Sequence, residues 1–137
     1  MITVATRAEG VDSAATSQPA DCLSAQRRMA RAALELMAHL PPRAQHLTDL
    51  LRLGASCVQL AAEQAFTARH ERDAMRGWDE CELGERQIRS ATYQALRGGF
   101  IKSRDYDQVF HAAAQATRAR RDETLRLRRR LRQLAVI

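Results

Sequence analysis

The sequence predicts an all-α protein built as an antiparallel up-down-up-down four-helix bundle. Three observations carry that expectation. Apolar residues recur at three- and four-residue steps through most of the chain. There is no sustained alternation of Val, Ile and Thr from which a strand could be read. Proline is confined to Pro19, Pro41 and Pro42, so few positions forbid helix. At 137 residues the chain fits one domain and is long enough to bury a core without metal or disulfide staples. It divides into a disordered tail, residues 1–20, rich in Ala, Ser, Thr and Gly, and a bundle domain, residues 21–137.

The first helix is expected from about Cys22 to Leu40, capped by Asp21 or Ser24. Its apolar stripe is Leu23, Ala30, Ala33, Leu34, Met37 and Leu40, and Pro41-Pro42 ends it. The second runs from about Arg43 to Ala68. Leu47, Leu51, Gly54, Val58, Ala61 and Ala65 form one stripe, and Leu50, Leu53, Cys57 and Leu60 a second beside it. A helix apolar over that width is expected to be buried on more than one side, in a bundle or an oligomer. Gly54 costs about 1 kcal/mol relative to Ala in a helix interior, and a close helix–helix approach would offset it.

The third helix spans about Glu71 to Arg97, with Ala74, Trp78, Cys81, Glu85, Ile88, Thr92 and Ala95 on its stripe and Gly98-Gly99 as a stop. No proline marks the boundary between helices two and three. The fourth begins after Ser103, read as an N-cap, with Asp105 and Asp107 in the first turn. Tyr106, Phe110, Ala113, Thr117, Arg120, Thr124, Leu127, Leu131 and Leu134 form its heptad seam, apolar at the ends and polar in the middle.

Charge is informative because of where it sits. The net charge is +6, and the segment from Arg118 to Arg132, with eight arginines against Asp122 and Glu123, accounts for all of it. Arg118, Arg121, Arg126, Arg128, Arg129, Arg130 and Arg132 are therefore the candidate nucleic-acid-binding residues, contacting backbone phosphates with little regard for sequence. No aromatics interleave with them, so stacking on single strands is not expected. Arg120 falls on the seam, and a hairpin of helices three and four brings it to about one turn from Glu85. The pair is expected to be buried or half-buried and to fix register, with Glu63 as a second candidate partner.

No catalytic constellation is legible. No Glu precedes His39, His46, His70 or His111 by three residues, as a di-iron bundle requires. Glycine-loop and nucleophile-elbow motifs are also missing. The three cysteines, Cys22, Cys57 and Cys81, are odd in number with no close pair, which fits buried thiols in a reducing compartment. No run approaches the ~20 apolar residues of a membrane span, and no secretory signal is visible, so a cytoplasmic, non-enzymatic protein without cofactor, metal or membrane attachment is expected.

The run Arg52-Leu53-Gly54-Ala55-Ser56-Cys57-Val58-Gln59-Leu60-Ala61-Ala62-Glu63-Gln64, and the turn marked by Ala95, Gly99, Phe100 and Ile101 with Tyr106 following, resemble a known family. It is the four-helix-bundle proteins of intervening sequences in 23S ribosomal RNA genes, which include the accessory variability determinant proteins of diversity-generating retroelements. Ser56, Ala62 and Glu63 match its helix-two pattern, while Leu60 and Gln64 stand where the family has Asn and Gly. The similarity covers residues 40–131. It implies a homopentamer and, as in the retroelement members, binding to nucleic acid and to a reverse transcriptase. The expected function is thus a basic scaffold for nucleic acid or a nucleic-acid enzyme. The alternative is a protein–protein adaptor or secretion-type chaperone that uses the apolar width of helix two.

Overall fold

The computed structural model describes residues 18–136, and among these every regular element is helical. Helix α1 is Pro19–Met37, a single 3-10 turn spans Pro42–Ala44, and α2 is Gln45–Thr67, α3 Glu71–Arg97 and α4 Ser103–Val136. Each helix packs on its neighbours in sequence, and α1 also packs on α4, closing a ring. No helix of the described residues is long and apolar enough to cross a membrane.

The ends follow from local chemistry. Helix α1 starts earlier than the sequence suggests. Pro19 and Ala20, expected in the tail, are helical, because a proline at the first position loses no bond that the helix needs. Residues 1–17, the rest of that expected tail, lie outside the described residues. Asp21 sits inside the helix, where its carboxylate accepts the Gln18 backbone N–H at 3.2 Å. Helix α4 uses the same device. Ser103, expected as the cap, is its first helical residue, and Asp105 accepts the Lys102 backbone N–H at 3.2 Å. Helix α1 stops at Met37, short of Leu40. The N–H groups of Ala38, His39 and Leu40 reach back only three residues, since Leu40 before Pro41 cannot stay helical.

The α2–α3 boundary, which carries no proline, is a break at residues 68–70. Ala68 and His70 are extended there, and the Thr67 hydroxyl donates to the Glu63 carbonyl at 2.8 Å. Gly98-Gly99 ends α3 with Gly99 at φ 75°, the N–H of Phe100 bonding Ala95 O at 2.9 Å and that of Gly99 bonding Leu96 O at 3.0 Å.

The core has two apolar parts. One gathers Met29, Leu36, Leu47, Leu51, Val58, Ile88, Ile101 and Val109, and the other Cys22, Ala62, Ala65, Trp78, Cys81 and Leu127. Several expected stripe residues are displaced. Leu34 is exposed, and Cys22, Gln26, Met29 and Leu36 hold the inner face of α1 instead. Phe110 is exposed, and its neighbour Val109 is buried. On α2 the first stripe is buried as a whole. The second is not, with Leu53 56% and Leu60 62% exposed. Alanine makes the difference: Ala55 and Ala62 let neighbouring helices cover the opposite flank, leaving the leucines outside.

The tightest contact is α2 against α3. A Cβ on Gly84 would lie 2.5 Å from Val58 Cγ2 and 2.8 Å from the Gly54 carbonyl oxygen, and one on Gly77 would lie 2.7 Å from Ala65 Cβ. Two backbones meet there with no space for a methyl group. Gly84→Ala is therefore expected to destabilise the fold by about 1–3 kcal/mol, despite the better helix propensity of Ala, because the Gly54 carbonyl cannot step aside. The urea unfolding midpoint measures it, and an unchanged or raised midpoint would refute the close approach.

Burial also governs the thiols. It pushes the Cys81 thiol from 9.0 up to about 12, and it raises Cys22 as well. Cys57 is half-buried. Since the thiolate is the nucleophile, iodoacetamide at about pH 8 is expected to label native protein at Cys57 alone, with Cys22 and Cys81 reacting only after unfolding. Peptide mass mapping checks this.

Candidate nucleic-acid interface

Between the two apolar parts lies a polar layer supplied by three helices. Glu85 of α3, 1% exposed, accepts hydrogen bonds from Gln26 Nε2 of α1 and from the Thr117 hydroxyl and Arg120 Nε of α4, each at 2.8 Å. Gln26 Nε2 also donates to the Ala116 carbonyl at 3.1 Å. Arg89 of α3 donates to the Thr117 hydroxyl and to the Ala113 carbonyl. Arg120 is thus an inward-turned arginine whose charge Glu85 answers. Burial alone would ease its proton off, but the hydrogen bond and charge of Glu85 outweigh burial and hold it on more firmly. Glu63, the other candidate partner, pairs on the surface with Arg27 at 3.2 Å.

This layer sets which side of α4 meets water. The buried Thr117, Arg120, Thr124 and Leu127 point one way, and the remaining seven arginines are exposed. Two of the seven are already neutralised. Arg126 grips Glu123, itself 1% exposed, through two bonds of 3.0 and 2.7 Å, which raise the arginine's affinity for its proton. Arg130 Nε donates to Glu71 at 2.9 Å. The Glu71 carboxyl is held below the usual range, first by its own backbone N–H and then by Arg130.

Arg118, Arg121, Arg128, Arg129 and Arg132 have no carboxylate within 4.0 Å among the described residues. These five lie within an arc of about 100° on the outer face of α4 and span about 21 Å along it. The only acidic side chain within the 118–132 segment on that side is Asp122, and Leu125, 42% exposed, lies among them.

Three participants were not picked out from sequence: Gln26, Glu123 and Arg89. Gln26 stands midway between Cys22 and Ala30, so its four-residue spacing was a usable signal. Glu123 sits in a run of charges and Arg89 is a lone arginine between Ile88 and Ser90, and neither offered one. His39 and Glu35 line a surface cleft with Asp105, and no group of three or more His, Cys, Asp or Glu among the described residues is placed to hold a metal. No protein-family model, curated protein or solved structure matches the chain.

Arg120→Met would leave the Glu85 charge buried without a cation. It is expected to lower the unfolding free energy by about 3–5 kcal/mol. Adding Glu85→Gln should restore most of that, because an amide still accepts from Thr117 without carrying a charge. Urea titration of the single and double variants checks this, and a double variant no better than the single would assign the loss to something other than the stranded charge.

Proposed function

We propose that this chain is a basic, non-enzymatic helical scaffold that binds nucleic acid through backbone phosphates, largely independently of sequence. The observation that carries the reading is the outer face of α4, where five arginines with no carboxylate within 4.0 Å among the described residues share one side of the helix. A field of one sign over that length attracts polyanions, and phosphate contacts need no base edges. Arg126 and Arg130 take a smaller part, since Glu123 and Glu71 already answer them.

The same reading treats the four helices as an up-down-up-down bundle in a cytoplasmic homo-oligomer. A pentamer and a reverse-transcriptase partner follow if the family likeness holds. The paired positions of α3 and α4 favour antiparallel helices: Glu71 meets Arg130, Glu85 meets Arg120, and Arg89 meets Ala113. One observation favours the adaptor reading, namely the exposed Leu53 and Leu60 on α2, an apolar flank suited to a protein partner.

Binding to random duplex is expected to weaken with salt, the log–log slope approaching −4.5 if about five phosphates are neutralised. Changing Arg118, Arg121, Arg128, Arg129 and Arg132 together to Gln should abolish most of that slope, while Arg126→Gln with Arg130→Gln should change it little. Fluorescence anisotropy over a salt series measures both. Folded protein that does not bind duplex at low salt would remove the reading, and salt-insensitive capture of one protein would favour the adaptor.

A further inference from the structure

The arginine face is not uniform. Towards its amino-terminal end a notch of about 350 Å³ opens between α3 and α4, lined by Arg89, Ala114, Thr117, Arg118, Arg121 and Asp122. Three guanidinium groups from two helices converge on it, against one carboxylate. Ala114 lies one turn before Arg118, and its methyl group leaves the floor open.

Arg89 is half-buried and anchored, because its bonds to the Thr117 hydroxyl and the Ala113 carbonyl fix the plane of its fork. Arg118 and Arg121, three residues apart on one face, flank it from α4 and are exposed, with no carboxylate within 4.0 Å among the described residues. By contrast, Arg128, Arg129 and Arg132 stand on the convex helix surface.

We propose that this notch is a binding site for a terminal, doubly charged phosphate. The charge matches: three cations against one anion leave an excess of two, and a terminal phosphate carries about −1.5 to −2 near neutral pH, where an internal diester carries one. The shape matches as well. A concavity accepts the end of a molecule, whereas a continuous strand lies along a ridge. Guanidinium forks bond phosphate oxygens two at a time, so a fixed fork with two flanking ones can surround a three-oxygen terminus. The proposal deepens the nucleic-acid reading and rests on it only for the source of the phosphate. That source is either the phosphorylated end of a strand, with the rest of the duplex running along the convex arginines, or a free small polyphosphate.

Two measurements separate these cases. In the first, inorganic pyrophosphate is titrated calorimetrically at low salt into the full chain. Comparison is with Arg118→Gln/Arg121→Gln and with Arg128→Gln/Arg129→Gln/Arg132→Gln, all exposed positions. The notch predicts equal affinity for the full chain and the triple variant, and about tenfold or greater loss in the double variant. In the second, one duplex is compared with and without terminal phosphates. About tenfold tighter binding of the phosphorylated form, lost in the double variant, assigns the site to strand ends.

Pyrophosphate binding without that preference assigns it to free polyphosphate. Absence of pyrophosphate binding together with equal affinity for the two duplexes overturns the notch and leaves duplex binding by the arginine face standing. Pyrophosphate losses that are equal in both variant sets also overturn it, since diffuse charge would then explain the binding. Pyrophosphate bound through Arg118 and Arg121, with neither duplex bound, keeps the notch and removes the nucleic-acid reading instead.

Discussion

The Glu85 carboxylate is the constraint on which the rest of the molecule turns. A buried charge is costly unless its lone pairs are filled and a counter-charge is close. Here the donors come from α1 and α4, so the carboxylate is satisfied only when three helices are aligned at one level. The diagonal helices α1 and α3 touch little elsewhere, which makes the Gln26–Glu85 bond the main tie across the bundle. Apolar packing of Ala and Leu tolerates sliding by a turn, because one small side chain replaces another. A carboxylate that has to meet one amide, one hydroxyl and one guanidinium does not.

The outer surface inherits that register. With Arg120 fixed inward, helix geometry leaves Arg118 and Arg121 about 160° and 100° away from it, facing water. A basic segment that reads as one run of charge is thereby sorted into three uses. One arginine balances the interior, two tie down neighbouring acids, and five stand exposed with no carboxylate within 4.0 Å among the described residues. The sorting depends on which carboxylates the fold brings near, and the segment's own composition does not contain that information.

How much was legible follows from the physics of each signal. The span of α3 and its glycine stop were readable, because Glu71, the stripe through Trp78 and Ile88, and Gly98-Gly99 all agree. On α1 the expected Leu23, Ala30 and Ala33 are buried, but Leu34 is not, because Leu34 and Leu36 give almost equal stripes in an alanine-rich helix. Only packing chooses between them. The seam of α4 was right through its polar middle and wrong towards both ends: Phe110 is exposed with Val109 buried in its place, and Leu134 is exposed as well. At the candidate site, the basic run was visible but the pairing of Arg126 and Arg130 was not. Arg89 looked like any solvent-facing arginine, since a side chain that reaches across to another helix leaves no periodic trace.

The glycine contact between α2 and α3 has a mechanical consequence. Backbones that touch at Gly54, Gly77 and Gly84 have no intervening side chains to change rotamer, so the pair forms a single stiff board. Helix α4 is held to that board by the hydrogen bonds of Glu85 to Thr117 and Arg120 and of Arg89 to Thr117 and Ala113. Arg89 belongs to the board and Arg118 and Arg121 to α4, so the bonds that hold α4 in register also set the spacing of the three cations. The aperture of the notch is thus fixed by the same few bonds that align the bundle.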